Sequence, residues 1–252
     1  VCSSDLMQSL FRSACLLKAL PKTLLPSVVA RTVATAPIPE AKPLENILKV
    51  TVVPNGKANT NTYILYDDDA CDGAILDPGT DDYKLLRAIE DCRANISSIL
   101  LTHGHKNHSA SVMEILRNFG SIPIYVAEAE KPLLDKALTS GQVLGDEIDL
   151  HYVKDQETID VAGHKGTVIA TPGHTPGSVC YRFGNFLFTG DTLLCNGVGS
   201  CDDANLAQLK QSVREKLFVL PRETTILPGH GEFSAIATES LFNPVVGKDA
   251  KD

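Results

Sequence analysis

Apolar and polar positions alternate enough along 47–53 to read as a strand, 61–66 reads as a second and the short apolar run 74–76 as a third. Turn-rich pieces separate them, Pro54-Asn55-Gly56 and the stretch 67–73, and Asp77-Pro78-Gly79 ends the third. The period then changes. Leu85, Leu86 and Ile89 share one face of a helix that Thr80 or Asp81 can cap and that runs to about Arg93. A β-branched strand at 96–101, a helix at 109–118 stopped by Gly120, a strand at 122–126 and a helix at 127–138 follow. Strands are expected again at 148–153, 157–161 and 166–170, with 162–166 as a hairpin turn. Strands at 179–183 and 186–188 flank Gly184-Asn185, an amphipathic helix covers 204–217, a last strand covers 224–227, and a short polar tail follows Pro244. Each half holds several strands and at least one helix, which suits two packed sheets with helices outside.

Four segments repeat one grammar: an apolar strand, then a Gly/Pro turn bearing a metal-competent side chain. The first is Leu100-Leu101-Thr102-His103-Gly104-His105-Lys106-Asn107-His108. The others end in Thr171-Pro172-Gly173-His174, Thr189-Gly190-Asp191 and Leu227-Pro228-Gly229-His230. Neutral imidazole offers a lone pair at pH 7, which makes histidine the commonest metal ligand. If the strands are neighbours, five histidines and Asp191 converge at one sheet edge. His151, inside a strand, and His164, in a hairpin turn, are read as non-functional.

Composition narrows the rest. The chain has 252 residues and 43% hydrophobic content, enough for one sizeable core. A net charge of −8 argues against nucleic acid as partner. No apolar run approaches the ~20 residues that span a bilayer. The seven cysteines form no C-x-x-C pair, which points to a reducing compartment rather than a disulfide framework. From Met7 to Pro39 there is no acidic residue, while Arg12, Lys18, Lys22 and Arg31 are basic. That composition fits a mitochondrial targeting segment over 1–39, ahead of a single domain over 40–252; without import the expected location is cytoplasmic.

The histidine-rich motifs resemble the metallo-β-lactamase-fold superfamily, whose signature is His-x-His-x-Asp-His followed by a distant His, Asp and His. Asn61-Thr62-Tyr63, Asp77-Pro78-Gly79, the stretches 171–178, 188–192 and 227–231, and Asn243-Pro244 resemble its small glyoxalase II-like branch. The resemblance implies an α+β fold, a four-layer αββα sandwich with metals at one edge. By position, His103, His105 and His174 would form a first metal site. His108 and His230 would form a second, with Asp191 bridging. Zinc, one or two ions, or iron would suit these ligands. The implied reaction is hydrolysis of a small-molecule thioester or related acyl ester, with hydroxide from metal-bound water as nucleophile.

One departure bears on this. The signature aspartate, which in the family ligates the second metal and orients water, is Asn107 here. Asparagine is neutral and cannot accept a proton, so one tightly held metal and a loose or absent second are expected. Gly199-Ser200-Cys201-Asp202 lacks the arginine that many relatives carry, and the residues after Pro244 are too few for the helical glutathione-binding domain of full-length glyoxalase II enzymes. Tight glutathione thioester binding is therefore not expected. The competing readings are a mononuclear iron persulfide dioxygenase, which resembles the chain around 212–220, and a catalytically impaired metal-binding relative.

Overall fold

Tyr63, Ile64 and Leu65 are consecutive and fully buried, yet they face two different cores. They lie on β2 (Thr60–Asp67), where successive side chains point to opposite sides of the sheet. Tyr63 and Leu65 join Ala74, Leu76, Leu100, Val168, Tyr181, Phe188 and Leu227 between two sheets. Ile64 joins Ile75, Leu85, Ile89, Ile99, Val112, Ile115 and Leu134 beneath a layer of helices. A third core, with Ile169, Leu187, Leu209, Val213, Ile226 and Ile236, lies outside the second sheet. Three apolar layers separate four layers of structure, as expected for an αββα sandwich. Burying one such aliphatic side chain contributes about 1.5–3 kcal/mol.

The computed structural model describes residues 48–67, 72–79, 83–138 and 148–250. The expected targeting segment over 1–39 and the caps Thr80 and Asp81 lie outside the described residues. The first sheet orders β1 (Lys49–Asn55), β2, β3 (Asp72–Leu76), β4 (Asn95–Leu100), β5 (Ile124–Val126) and β6 (Leu150–Tyr152). The second orders β12 (Ser234–Ala235), β11 (Thr225–Pro228), β10 (Phe186–Gly190), β9 (Val179–Phe183), β8 (His164–Ala170) and β7 (Thr158–Val161). β3 to β6 pair in parallel, as do β10 and β11. β8 and β10 both run antiparallel to β9. The C-terminal ends of β3 and β4 thus share one edge of their sheet, and those of β8, β10 and β11 share one edge of theirs. Backbone bonds join the two edges there, from Val179 N to Thr102 O (2.9 Å) and from Asn61 N to Gly229 O (2.7 Å).

α1 (Tyr83–Cys92) fits the expected helix. The other helices depart from expectation for local reasons. The helix expected at 109–118 divides into α2 (Lys106–Ser109) and α3 (Val112–Phe119). Between them Ser111 N turns away to Pro78 O and Gly79 O, at 3.2 and 2.8 Å. The helix expected at 127–138 opens as a 3-10 turn, Glu128–Glu130, before α4 (Lys131–Leu138). Pro132 sits in the first turn of α4, where its missing N–H costs nothing. α5 (Asp203–Ser212) begins at the Asp202 cap and runs into a π-helical turn, Val213–Leu217, closed by Phe218 N on Val213 O at 3.0 Å. β12 and α6 (Ile236–Phe242) were not expected, and the tail after Pro244 is not wholly polar, because Val246 is buried in the third core. His164 opens β8 rather than sitting in the turn; its Nε2 lies 2.8 Å from Asp67 Oδ2.

Candidate metal centre

The strand ends deliver the chemistry. β4 leads into His103 and His105, and the turn at α2 brings His108 back over them. The His103 ring lies 4.2 Å from that of His108 and 4.7 Å from that of His105. The loop after β8 supplies His174, the end of β10 supplies Asp191, and the turn after β11 supplies His230. Ligand atoms of His103, His105 and His174 lie within 4.8 Å of one another, as do those of His108, Asp191 and His230. A third such group, Asp77, His103 and His108, is fully buried.

Asp191 lies between the two histidine sets. Its Oδ1 is 2.7 Å from His230 Nδ1 and 3.5 Å from His108 Nε2, while its Oδ2 is 3.7 Å from His174 Nε2. Burial would raise its pKa, but the His108 and His230 imidazoles more than reverse this and hold the carboxyl well below the usual range. Asp191 is therefore an anion at any neutral pH.

Asp77 organises the interior. It ends β3 with φ of 51°, a left-handed conformation that costs a non-glycine residue about 1 kcal/mol or more. Its Oδ1 accepts from Thr102 N at 2.8 Å, and its Oδ2 accepts from Thr102 Oγ1 at 2.6 Å and from His108 Nδ1 at 3.0 Å. Because the Thr102 hydroxyl donates to Asp77, it accepts from His103 Nδ1, 3.0 Å away. One carboxylate thus fixes the tautomer of His108 directly and of His103 through Thr102. In each neutral ring Nε2 is then the nitrogen left to ligate. His174 Nδ1 donates to Ser200 O at 2.7 Å, which likewise frees its Nε2, 3.0 Å from His105 Nδ1.

These groups fit a divalent cation. Buried polar atoms nearly always have partners. His103 Nε2 and His108 Nε2 are buried with none. Burial and the neighbouring imidazoles lower the pKa of His103 and of half-buried His105, keeping both neutral and able to ligate. His108 differs: burial pulls it down, but Asp77 and Asp191 push it up to about 9, so its Nε2 carries a proton near pH 7 that an ion must displace.

Asn107 is also at the site. Its Nδ2 lies 3.2 Å from His230 Nε2. Thr60 Oγ1 is 3.3 Å from the same nitrogen. With Nδ1 on Asp191, His230 has both ring nitrogens engaged by protein groups, unlike His103 and His108. All seven expected site residues therefore lie together. His151 is half exposed and paired with Asp149, and His164 is paired with Asp67, both away from the cluster. Reasoning from the chain alone assigned no role to Asp77, although its Asp-Pro-Gly turn stood out, and none to Thr102 or Glu130.

Gly190 shows how tightly the edge is built. It adopts φ of 50°, and a Cβ there would collide with Thr102 Oγ1. Only glycine lets β10 approach the Thr102 relay and still present Asp191.

Comparison with known proteins agrees with this geometry. The family model of the metallo-beta-lactamase superfamily matches residues 55–230. A probable metallo-hydrolase, YqgX of Bacillus subtilis, is 34% identical over 202 residues, covering 76% of this chain and 94% of the relative. The hydroxyacylglutathione hydrolase GloC of Haemophilus influenzae is 29% identical, covering 78% and 97%. Among solved structures, BLEG-1, a B3 metallo-beta-lactamase, superposes with a TM-score of 0.70 at 30% identity over 79% of this chain and 99% of its own. TTHA1623 in a di-iron-bound form gives 0.66 at 27% identity over 77% and 99%. No helix among the described residues is long and apolar enough to cross a membrane. The match of fold, sequence and site places this chain in the metallo-beta-lactamase superfamily of metallo-hydrolases.

Proposed function

We propose that the protein hydrolyses a small thioester or related acyl ester. The observation that carries this reading is Asp191 set between two histidine clusters, one carboxylate oxygen toward each. His103, His105 and His174 would hold the essential ion, zinc or iron, and His108, His230 and Asp191 a weaker second one. A bound divalent ion supplies Lewis acidity, which polarises a carbonyl and makes water nucleophilic near neutral pH.

The chain's own residues have distinct tasks. Asp77 holds His108 and His103 in the ligating tautomer. The Asp191 carboxylate stays ionised, so it contributes charge rather than a proton. Asn107 cannot act as a base. Its amide donates to His230 and competes with a metal for that nitrogen. Similarity to GloC supports an acyl-thioester substrate, and similarity to TTHA1623 supports room for iron as well as zinc.

The dioxygenase reading draws on the same residue. One metal would suffice there, and Asn107 would then be harmless. A dioxygenase iron would rest on His103, His174 and Asp191 and leave His108 and His230 idle; the convergence of those two on the same carboxylate favours hydrolysis. Oxygen consumption with glutathione persulfide separates the two: a flat trace removes the dioxygenase. Turnover of S-lactoylglutathione and a panel of acyl-CoA thioesters tests the hydrolase. The acid-free segment 7–39 supports import into mitochondria, and a diffuse cytosolic signal from the tagged chain would overturn that.

A further inference from the structure

We propose that Glu130 is a positioning residue for the first metal site, a carboxylate staple that clamps the His103–His105 segment to the His174 loop. The inference rests on reading His103, His105 and His174 as ligands of one ion. Glu130 ends the 3-10 turn before α4 and is fully buried. Its Oε2 accepts from Gly104 N at 2.7 Å, and its Oε1 accepts from Gly177 N at 2.7 Å. Gly104 stands between His103 and His105, and Gly177 stands three residues past His174. One side chain therefore ties together the two loops that carry all three ligands.

The fit leaves no slack. A Cβ on Gly104 would sit 2.8 Å from Leu133 Cβ and 3.0 Å from Glu130 O. A Cβ on Gly177 would sit 2.8 Å from Glu130 Oε1 and 2.9 Å from its Cγ. Both loops lie flat against Glu130 because both carry glycine at the contact. A buried carboxylate is costly unless its charge is answered. Here both oxygens are spent on backbone N–H groups rather than on a cationic side chain, and charge-assisted bonds of this kind are among the stronger ones. The loops also have their own internal bonds: Thr175 Oγ1 lies 2.6 Å from Ser178 Oγ, and Ser109 Oγ donates to His105 O. Two ties run between the loops: Val179 N donates to Thr102 O at 2.9 Å just before His103, and Glu130 grips the segment between His103 and His105, where His174 Nε2 and His105 Nδ1 lie 3.0 Å apart.

The test compares Glu130→Gln and Glu130→Ala with the wild type and with Glu128→Gln, an exposed neighbour on the same turn. Zinc affinity is measured by chelator competition, site geometry by the visible spectrum of the cobalt-loaded protein, and stability on the metal-free form. The amide of Glu130→Gln can accept from only one of the two loops. Zinc should bind it about tenfold or more weakly, in the range seen when outer supports of metal ligands are removed, with an altered cobalt spectrum. Glu128→Gln should match the wild type. Variants that melt early but keep wild-type zinc affinity and cobalt spectrum would overturn the proposal and make Glu130 a purely structural residue. Wild-type protein that binds no zinc at all would instead overturn the ligand reading beneath it. Hydrogen exchange of the wild type needs no variant. The Gly104 and Gly177 amides should both become slower on zinc loading, and an unchanged rate at either would also overturn the staple.

Discussion

Asn107 Nδ2 lies 3.2 Å from His230 Nε2, while His230 Nδ1 lies 2.7 Å from Asp191 Oδ1. A histidine at the second metal position is thus satisfied by two side chains. A metal there must displace the Asn107 amide and gains a neutral oxygen at best. The wild type should retain one equivalent of metal after dialysis, and Asn107→Asp should retain two. Elemental analysis of both proteins reads this directly, and two equivalents in the wild type would refute it.

Asp77 holds Thr102 and His108 with three bonds from one carboxylate. Asp77→Asn replaces one acceptor oxygen with a donor facing a donor. Bonds to a buried charge contribute about 1.5–3 kcal/mol each, so the metal-free protein should lose at least about 2 kcal/mol in urea unfolding. Metal affinity should fall at both sites by about 10–100-fold. Loss at the second site alone would show that the Thr102 relay to His103 does not operate.

Gly190→Ala places a methyl group against Thr102 at a backbone φ of 50°. Strain of this kind costs about 1–3 kcal/mol. The collision also pushes Thr102 off Asp77. Thermal unfolding should therefore fall, and metal affinity should fall with it. A variant with lowered melting temperature and intact affinity would separate the turn from the relay.

Acid should release the His174 loop from one of its supports. Asp155 Oδ1 accepts from Ala170 N at 2.7 Å, at the end of the strand leading to His174, and Oδ2 accepts from Lys216 Nζ at 2.9 Å. Burial raises the Asp155 pKa, but these two bonds outweigh it and leave it below its ordinary value of 3.8. A folded-state pKa below the unfolded one stabilises the protein above about pH 4 and ceases to do so as pH falls through the folded value. Asp155→Asn should flatten that part of the stability profile between pH 5 and pH 2. Because more than a third of each side chain is exposed, the effect should be small and weaker in salt. An unchanged profile would contradict it.

Much of this arrangement was legible in the chain because its signals are local. The unbroken apolar run Tyr63-Ile64-Leu65 suits a strand buried on both faces, and each candidate ligand sits in a Gly/Pro turn directly after an apolar run. Asp77 could be seen as a turn residue, but its partners lie 25 and 31 positions away. Glu130 reaches Gly104 and Gly177, 26 and 47 positions away, from the segment Glu128-Ala129-Glu130-Lys131. Nothing in that segment distinguishes the buried carboxylate from the exposed one beside it. The division of 109–118 into two short helices has the same origin: Ser111 bonds to Pro78 and Gly79, contacts that a helical period cannot encode.

The most direct measurement is thioester hydrolysis by the same preparation stripped of metal and then reloaded with zinc or iron. The stripped protein should be inactive toward S-lactoylglutathione and acyl-CoA thioesters, and one equivalent of metal should restore turnover of at least one of them. A reloaded protein that holds its metal yet hydrolyses none of the panel would contradict the assignment of this site to thioester chemistry.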